Sequence, residues 1–224
     1  MSYFQFQQLE NLATKGEYTA HFLSVNESKT IPNRSLGHSQ AKSLVLRDQV
    51  EAWMGEISPG THLQINVKQD IDLISLQYYY GDSNPYRSTN VGFGISYTLP
   101  IIVAILSSPP ETLIIIENPE AHLHPKGQAK MGELLALAAS CGMQIVVETH
   151  SDHVLNGIRL IVYREKVDPK KVQLHYFDSQ KRGREFITEV ISPQIDRNGR
   201  IDKWPEGFFD EWDNSLEALL EPRE

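Results

Sequence analysis

The chain has 224 residues, 40% of them hydrophobic and 22% charged, which is long enough for one sizeable core and typical of a globular protein. Its net charge of −8 and pI of about 5.5 exclude the strongly basic overall surface that many nucleic-acid-binding proteins have. The single cysteine, Cys141, excludes an intrachain disulfide. The sequence has no signal-peptide pattern and no apolar run of the roughly 18 residues that a membrane helix needs. We therefore expect a cytoplasmic protein without membrane contact.

The N-terminal third predicts one helix followed by two antiparallel strands. Apolar residues in segment 41–57 recur at nearly helical spacing, and the sequence "SPG" then ends the helix. Apolar and polar residues alternate in segments 62–69 and 71–80, as they do in half-buried strands. A loop rich in turn residues, 81–90, follows.

The character of the sequence changes at residue 91, where long apolar segments begin. Two of them are short and continuous, which is typical of buried strands. The other three have apolar residues at helical spacing, or a helix-starting residue before an apolar run, and are typical of helices. The predicted strands are 113–116 and 143–148, and the predicted helices are 91–108, 127–140 and 151–165. Continuous apolar strands that alternate with helices predict a parallel sheet buried on both faces.

Polar residues follow both apolar strands directly. Glu117 and Asn118 follow the first strand, and Glu148, Thr149 and His150 lie at the end of the second. Ligands of open α/β sheets bind beyond the carboxyl ends of the parallel strands. We therefore expect Glu117, Asn118 and His150 to face a common cleft.

Three features of this region suit phosphate chemistry, and each has a simpler alternative. Glu117 stands where nucleotide hydrolases hold Mg2+, which prefers oxygen ligands, but it could also cap the next helix. His150 could donate a hydrogen bond to a phosphate oxygen or an attacking water, or it could be an exposed histidine at a helix start. Gly92 and Gly94 could leave backbone N–H groups accessible to an anion, or they could form a tight turn before a packed helix.

The C-terminal residues predict two further strands and an amphipathic helix. Segments 172–179 and 185–192 are the strands, and segment 204–220 is the helix, with aromatic residues concentrated at its start. Clustered aromatic residues usually belong to a core, so we expect them to pack against the rest of the domain. These residues are Trp204, Phe208, Phe209 and Trp212.

Three segments in order resemble the ABC-type ATPases. "NVGFGISYTLPIIVAIL" resembles their signature helix, and "VVETHSDHVLNGIR" resembles the strand and helix of the switch histidine. "LIIIENPEAHLHP" resembles the Walker B strand of relatives of the overcoming-lysogenization-defect and structural-maintenance-of-chromosomes (SMC) ATPases. The C-terminal "GRIDKWPEGFFDEWDNSLEALL" resembles a short domain of unknown function found at the end of such bacterial ATPases. The resemblance implies an α/β, P-loop NTPase-like head with a parallel central sheet, antiparallel N-terminal strands and a small C-terminal α+β extension.

The resemblance also implies roles for the candidate residues. Glu117 corresponds to the Walker B carboxylate that holds Mg2+, and His150 to the switch histidine. Asn118 stands where many of these ATPases have the catalytic glutamate. Because an amide cannot act as a general base near neutral pH, Glu120 could take that role, or hydrolysis could be slow. The residues expected to contact ATP bound to a second, head-to-tail copy are Gly92, Gly94 and Ser96.

The phosphate-binding P-loop of this family, G-x-x-x-x-G-K-[ST], is absent, since no Gly-Lys dipeptide occurs in the 224 residues. We therefore expect the C-terminal half of an ATPase head, which uses ATP and Mg2+ only when a P-loop-bearing N-terminal segment or partner chain completes it. The isolated chain is expected to be inactive. The expected divisions are an incomplete N-terminal part of the head (1–89), the signature, Walker B and switch-histidine core (90–165) and the C-terminal extension (166–224).

Two other functions stay open from the sequence alone. The chain could be a protein-interaction module that keeps the fold without catalysis, as Asn118 and the absent P-loop suggest. It could also be a metal-dependent nuclease or hydrolase that uses a cluster of histidines and a glutamate. Those candidate ligands are Glu120, His122, His124, His150 and His153. For the ATPase, the resemblance implies a link to DNA maintenance or phage defence, with DNA contacted through partners.

Overall fold

The computed structural model describes residues 12–68, 73–81, 83–87, 93–182 and 185–221. The helices of this part of the chain are α1 (Thr19–Asn26), α2 (Leu46–Ile57), α3 (Phe93–Ser107), α4 (Pro125–Ser140), α5 (Asp152–Tyr163) and α6 (Glu211–Leu220). Its strands are β1 (Thr61–Lys68), β2 (Leu73–Tyr80), β3 (Tyr86–Arg87), β4 (Leu113–Glu117), β5 (Gln144–Glu148), β6 (Tyr176–Arg182) and β7 (Glu185–Ile191). None of these helices is long and apolar enough to cross a membrane.

The N-terminal strands form an antiparallel sheet in the order β1-β2-β3. β1 and β2 are the two predicted strands, whereas the short β3 lies in the segment 81–90 that was predicted to be a loop. Thr61 pairs with Tyr80 and Lys68 pairs with Leu73, so β1 and β2 are joined over their whole length. Tyr78 on β2 is only 1% exposed, which places this strand against the core.

β4 and β5 form a parallel pair, which confirms the prediction for the two continuous apolar strands. Leu113 pairs with Gln144 at one end, and Glu117 pairs with Glu148 at the other. Helix α4 makes the crossover that parallel strands require. The chain therefore has the expected α/β fold, with a parallel pair and separate antiparallel strands.

The two faces of the parallel pair differ. On one face Ile116 is 7% exposed and packs into the main core. On the other face Leu113, Ile115 and Val146 are 52%, 68% and 47% exposed, and we call these three residues the uncovered face. The prediction of a sheet buried on both faces is therefore wrong for the described residues, because their helices cover only one side.

The main core joins the N-terminal segments to α3, α4 and α5. Helix α3 is apolar around most of its circumference, and Ile102, Val103 and Ile105 have 0% exposure. Residues of α1, α2 and β1 pack against the same core. The expected parts 1–89 and 90–165 thus share one hydrophobic core where the structure describes them, and their division stays a prediction.

Helices α4 and α5 pack closely because each has a glycine at the contact. A Cβ on Gly132 of α4 would collide with the backbone carbonyl of Val154, and a Cβ on Gly157 of α5 would collide with that of Ala129. Only residues without side chains permit this approach. The contact fixes α5, which begins just after His150, against α4.

The C-terminal residues form an extension around a second hydrophobic cluster. Val167, Ile195 and Phe208 pack there on Leu155 of α5. β6 and β7 pair as an antiparallel hairpin, and β6 begins at Tyr176 rather than at the predicted residue 172. The extension therefore packs against α5 and α4.

The four C-terminal aromatic residues have different surroundings. Phe208 is 6% exposed, and Phe209 packs beside it in the second cluster, as predicted. Trp204 is 47% exposed, although its ring centroid lies 5.4 Å from that of Phe208. The packing prediction is wrong for Trp212, which is 75% exposed. Helix α6 begins only after the turn at Phe209, where φ is 56°, and none of its residues is buried.

Candidate functional site

The carboxyl edge of the parallel pair brings the predicted residues together. Glu117 and Glu148 end neighbouring strands in the same register, so their side chains leave the same face side by side, and both are exposed. The backbone N–H of Asn118 donates to the carbonyl of Glu148 at 3.0 Å. Glu117, Asn118 and His150 therefore lie at one edge, as expected, and the chemical role of each stays a prediction.

Asn118 begins a tight turn with a left-handed backbone conformation. Its φ is 48°, which asparagine tolerates better than most residues. Within the turn, the N–H of Ala121 donates to the carbonyl of Asn118 at 3.0 Å, and the N–H of Leu123 donates to that of Glu120 at 2.9 Å. Asn118 thus has a conformational reason to be present, apart from its place in the predicted catalytic motif.

The Glu120 carboxylate connects this turn to the residues after β5. Its Oε2 accepts a hydrogen bond from the Thr149 hydroxyl at 2.6 Å, and its Oε1 accepts one from the backbone N–H of His150 at 2.9 Å. Both oxygens are engaged within the protein. This arrangement favours a positioning role for Glu120 over its expected role as a replacement base.

The His150 imidazole is 84% exposed, and its Nε2 lies 3.1 Å from Oε1 of Glu148. Because the Glu148 side chain is itself 51% exposed, water and salt screen the pair, so the contact orients the ring more than it stabilises the fold. Glu148 was not among the predicted site residues. The sequence does contain a signal for it, since Glu148 ends β5 as Glu117 ends β4.

Ser151 fixes the start of α5 immediately after His150. Its Oγ accepts a hydrogen bond from the N–H of Val154 at 3.1 Å and donates one to Oε1 of Gln128 at 2.5 Å. The Gln128 amide in turn donates to the carbonyl of Leu123 at 2.8 Å. The N-cap of α5 is therefore tied to the end of the turn that follows β4.

His122 and His124 have structural roles in the turn that leads into α4. His122, with φ of 61°, faces the ring of Tyr97 at a centroid distance of 5.9 Å. His124 is the N-cap of α4, and its Nδ1 accepts from the N–H of Lys126 at 3.4 Å. Among the described residues, no group of three or more His, Cys, Asp or Glu side chains is arranged to hold a metal ion. The alternative of a metal-dependent nuclease built on these histidines therefore has no geometric support.

The start of α3 packs against the same turn. A Cβ on Gly94 would lie 2.6 Å from the carbonyl oxygen of His122, so glycine is required there for close packing. Ser96 Oγ is buried beside the phenol of Tyr78, and burial, partly offset by this hydroxyl, raises the pKa of Tyr78 to about 12. The inward position of the Ser96 hydroxyl does not favour its expected contact with nucleotide. Gly92 lies outside the described residues.

A groove of about 870 Å³ borders Glu117 and His150, as expected, but Asn118 is not among the residues that line it. It is lined by Glu117, Glu148 and His150, by Ile115 and Val146 of the uncovered face, and by residues 171–177 and 207–211 of the C-terminal extension. The candidate site, the uncovered face and the extension thus share one open space.

Comparison with solved structures finds similarity to SMC ATPase heads. One is an SMC ATPase studied for ATP-driven dimerization and DNA-stimulated activation, with 11% identity over 92% of this chain and 99% of that chain, and a TM-score of 0.49. Another is the Smc head domain of Pyrococcus furiosus with an extended coiled coil, bound to the C-terminal domain of ScpA, with 10% identity over 92% of this chain and 41% of that chain, and a TM-score of 0.47. A third, from Pyrococcus yayanosii, has 10% identity over 79% of this chain and 29% of that chain, and a TM-score of 0.47.

Comparison with protein families and curated proteins gives a clearer result. Residues 167–219 match a family described as a protein of unknown function (DUF3696), and no curated protein matches the chain. Residues 7–156 match the family described as "AAA domain, putative AbiEii toxin, Type IV TA system". This match covers more than half of the chain and includes β4, β5 and the polar residues at their ends. The chain therefore belongs to this AAA domain family.

Proposed function

We propose that this chain supplies the Walker B, switch-histidine and signature elements of an ATP-hydrolysing switch ATPase, and that a segment or chain outside these 224 residues supplies the phosphate-binding loop. The observation that carries the proposal is the common edge of β4 and β5, where Glu117, Glu148 and His150 lie beside an uncovered apolar face. Membership of the AAA domain family supports the ATPase class.

The uncovered face offers a binding place for the segment that carries the loop. Parallel sheets are normally buried on both faces, and contiguous exposed apolar residues often mark an interaction site. In the described residues the parallel pair has no third strand. A further parallel strand at its edge, followed by a helix over Ile115 and Val146, would bring the loop between them to the edge that holds Glu117.

The donor set at this edge fits ATP and Mg2+. Mg2+ prefers oxygen ligands and is usually held by one or two carboxylates together with substrate phosphates. Glu117 and Glu148 present carboxylates side by side, so Glu117 would hold the ion directly or through water, with Glu148 beside it. When bound, Mg2+ supplies neutralisation of the phosphate charge.

The described residues of this site include no evident general base for proton transfer. Asn118 has no basic group, and both oxygens of Glu120 accept hydrogen bonds inside the protein. His150, oriented by Glu148, is the exposed group that would donate a hydrogen bond to the transferred phosphate or hold the attacking water. This set of residues suits slow turnover, as in a molecular switch.

The proposed assembly is a head-to-tail homodimer in which the start of α3, with Gly94, faces the nucleotide of the second copy. The contact between Gly94 and His122 supports a joint role for α3 and the turn after β4. The proposed process is DNA maintenance or phage defence, with DNA contacted through partners. The family description, which names a putative toxin, favours defence.

Binding of MgATP tests this proposal. We expect no saturable binding by the chain alone and saturable binding after a P-loop-bearing segment is added. Ile115→Asp should abolish the recovered binding, because it places a charge on a face that is to be buried. The matched control Leu160→Asp, at another exposed apolar position, should leave it intact. Saturable binding by the isolated chain that Ile115→Asp does not affect would overturn the proposal.

A further inference from the structure

We propose that Glu120 is a positioning residue that couples the start of α3 to His150. The proposal rests on the proposed function, in which the start of α3 faces the nucleotide of the second copy while His150 acts on the nucleotide of its own head. A continuous series of contacts joins the two: α3, the turn after β4, the Glu120 carboxylate, and the backbone at His150.

The first contact lies between α3 and the turn. Gly94 packs against the carbonyl of His122 so closely that no Cβ fits, and the Tyr97 ring, 60% exposed, lies 5.9 Å from the His122 ring. Asn118 and His122 both have positive φ, so the turn is held in a conformation that few residues adopt freely. Hydrogen bonds inside the turn join Asn118 to Ala121 and Glu120 to Leu123, so a displacement of Tyr97 by a second copy would move His122 and the turn with it.

The second contact lies between the turn and the residues around His150. The Glu120 carboxylate accepts from the Thr149 hydroxyl at 2.6 Å and from the His150 N–H at 2.9 Å. The same Thr149 hydroxyl oxygen accepts from the N–H of Ser151 at 3.1 Å. One carboxylate thus fixes the backbone on both sides of His150, and hydrogen bonds to a charged acceptor are the stronger kind.

The two roles considered for Glu120 differ in what they require. A positioning residue needs an acceptor for the His150 N–H and a partner for the Thr149 hydroxyl. Glutamine offers both, since its carbonyl accepts from the N–H and its amide donates to the hydroxyl oxygen. A general base needs a carboxylate, which glutamine lacks. Glu120→Gln and Glu120→Ala therefore separate the two roles.

Amide hydrogen exchange at His150, measured by NMR on the 224-residue chain without nucleotide, tests the coupling. Glu120→Ala should accelerate exchange roughly ten- to a hundredfold, as expected for a lost hydrogen bond to a charged group. Glu120→Gln should have a much smaller effect. The control Glu51→Ala removes a carboxylate bonded to His62, away from this turn, and should leave exchange at His150 unchanged.

The decisive comparison adds Tyr97→Ala to both backgrounds. It should accelerate exchange at His150 when Glu120 is present and add nothing in the Glu120→Ala variant, because the path is already broken. An equal effect of Tyr97→Ala in both backgrounds, or no effect in either, would overturn the coupling.

The completed ATPase provides a second readout. Glu120→Ala should lower kcat with little change in KM, and Glu120→Gln should restore most of kcat. Inactivity of Glu120→Gln equal to that of Glu120→Ala would show that Glu120 is the base and would overturn the positioning role. Failure of the completed assembly to bind MgATP would overturn the proposed function alone, because the exchange measurement uses no nucleotide.

Discussion

At the scale of single residues, three glutamates near one sheet edge have different surroundings. Glu120 accepts two hydrogen bonds inside the protein, Glu148 contacts the imidazole of His150, and Glu117 is exposed at the end of its strand. Because the residue type is the same, it is their partners that distinguish Glu120, a positioning carboxylate, from Glu117 and Glu148, which are accessible to a cation.

The buried phenol of Tyr78, next to Ser96, makes the free energy of unfolding depend on pH. Burial raises the pKa of its phenol from 10.0 to about 12, so the folded state holds the proton more tightly than the unfolded state. The resulting stabilisation is complete below about pH 10 and is lost as the pH rises towards 12, by up to about 3 kcal/mol. Denaturant titrations at increasing alkaline pH should show a smaller loss of unfolding free energy for Tyr78→Phe than for the wild type. An identical loss in both proteins would contradict a buried, protonated Tyr78.

Sequence patterns predicted the positions of some candidate residues but not the contacts of others. Glu117 and His150 were predictable because parallel strands end at one sheet edge. The contacts of Glu120 were not, since its partners Thr149 and His150 lie 29 and 30 residues away in the chain. Ser96 lies near the start of α3, but only its burial beside Tyr78 shows that its hydroxyl points inward.

At the scale of elements, the contact between α4 and α5 determines where His150 lies. α5 begins directly after the edge residues, and Gly132 and Gly157 let the two helices approach closely. The parallel pair and the antiparallel N-terminal strands were predictable, because period and apolar continuity are local properties of the sequence. The uncovered face was not, because a continuous apolar strand has the same pattern whether its own chain or another segment covers it.

Gly157→Ala tests the contact between these helices. The added Cβ would meet the backbone carbonyl of Ala129, so the helices must separate, and we expect the unfolding free energy to fall by about 1 to 3 kcal/mol. Gly55→Ala in α2 is the matched control, because its Cβ would meet nothing within 4 Å. That variant should be neutral or more stable by up to about 1 kcal/mol. Equal stabilities of the two variants in chemical denaturation would refute the close contact.

At the scale of the whole molecule, the described residues form a main hydrophobic core, a C-terminal extension packed on it, and a candidate site that opens onto an uncovered apolar face. Trp212 on α6 and Ile115 on β4 are apolar in the sequence but exposed in the structure. A local apolar pattern therefore does not predict whether a residue is buried within its own chain. The proposed ATPase requires a phosphate-binding loop to be brought to the edge that Glu117, Glu148 and His150 form.

Magnesium-dependent ATP hydrolysis, measured for the 224-residue chain alone and after a P-loop-bearing segment is added, tests this account most directly. We predict no activity for the chain alone, because the loop supplies most of the positioning and charge neutralisation for phosphoryl transfer. In the completed enzyme, Glu117→Gln should weaken magnesium-dependent turnover, and His150→Ala should slow hydrolysis more than it weakens ATP binding. A robust magnesium-dependent rate from the isolated chain, abolished by Glu117→Gln, would contradict the account.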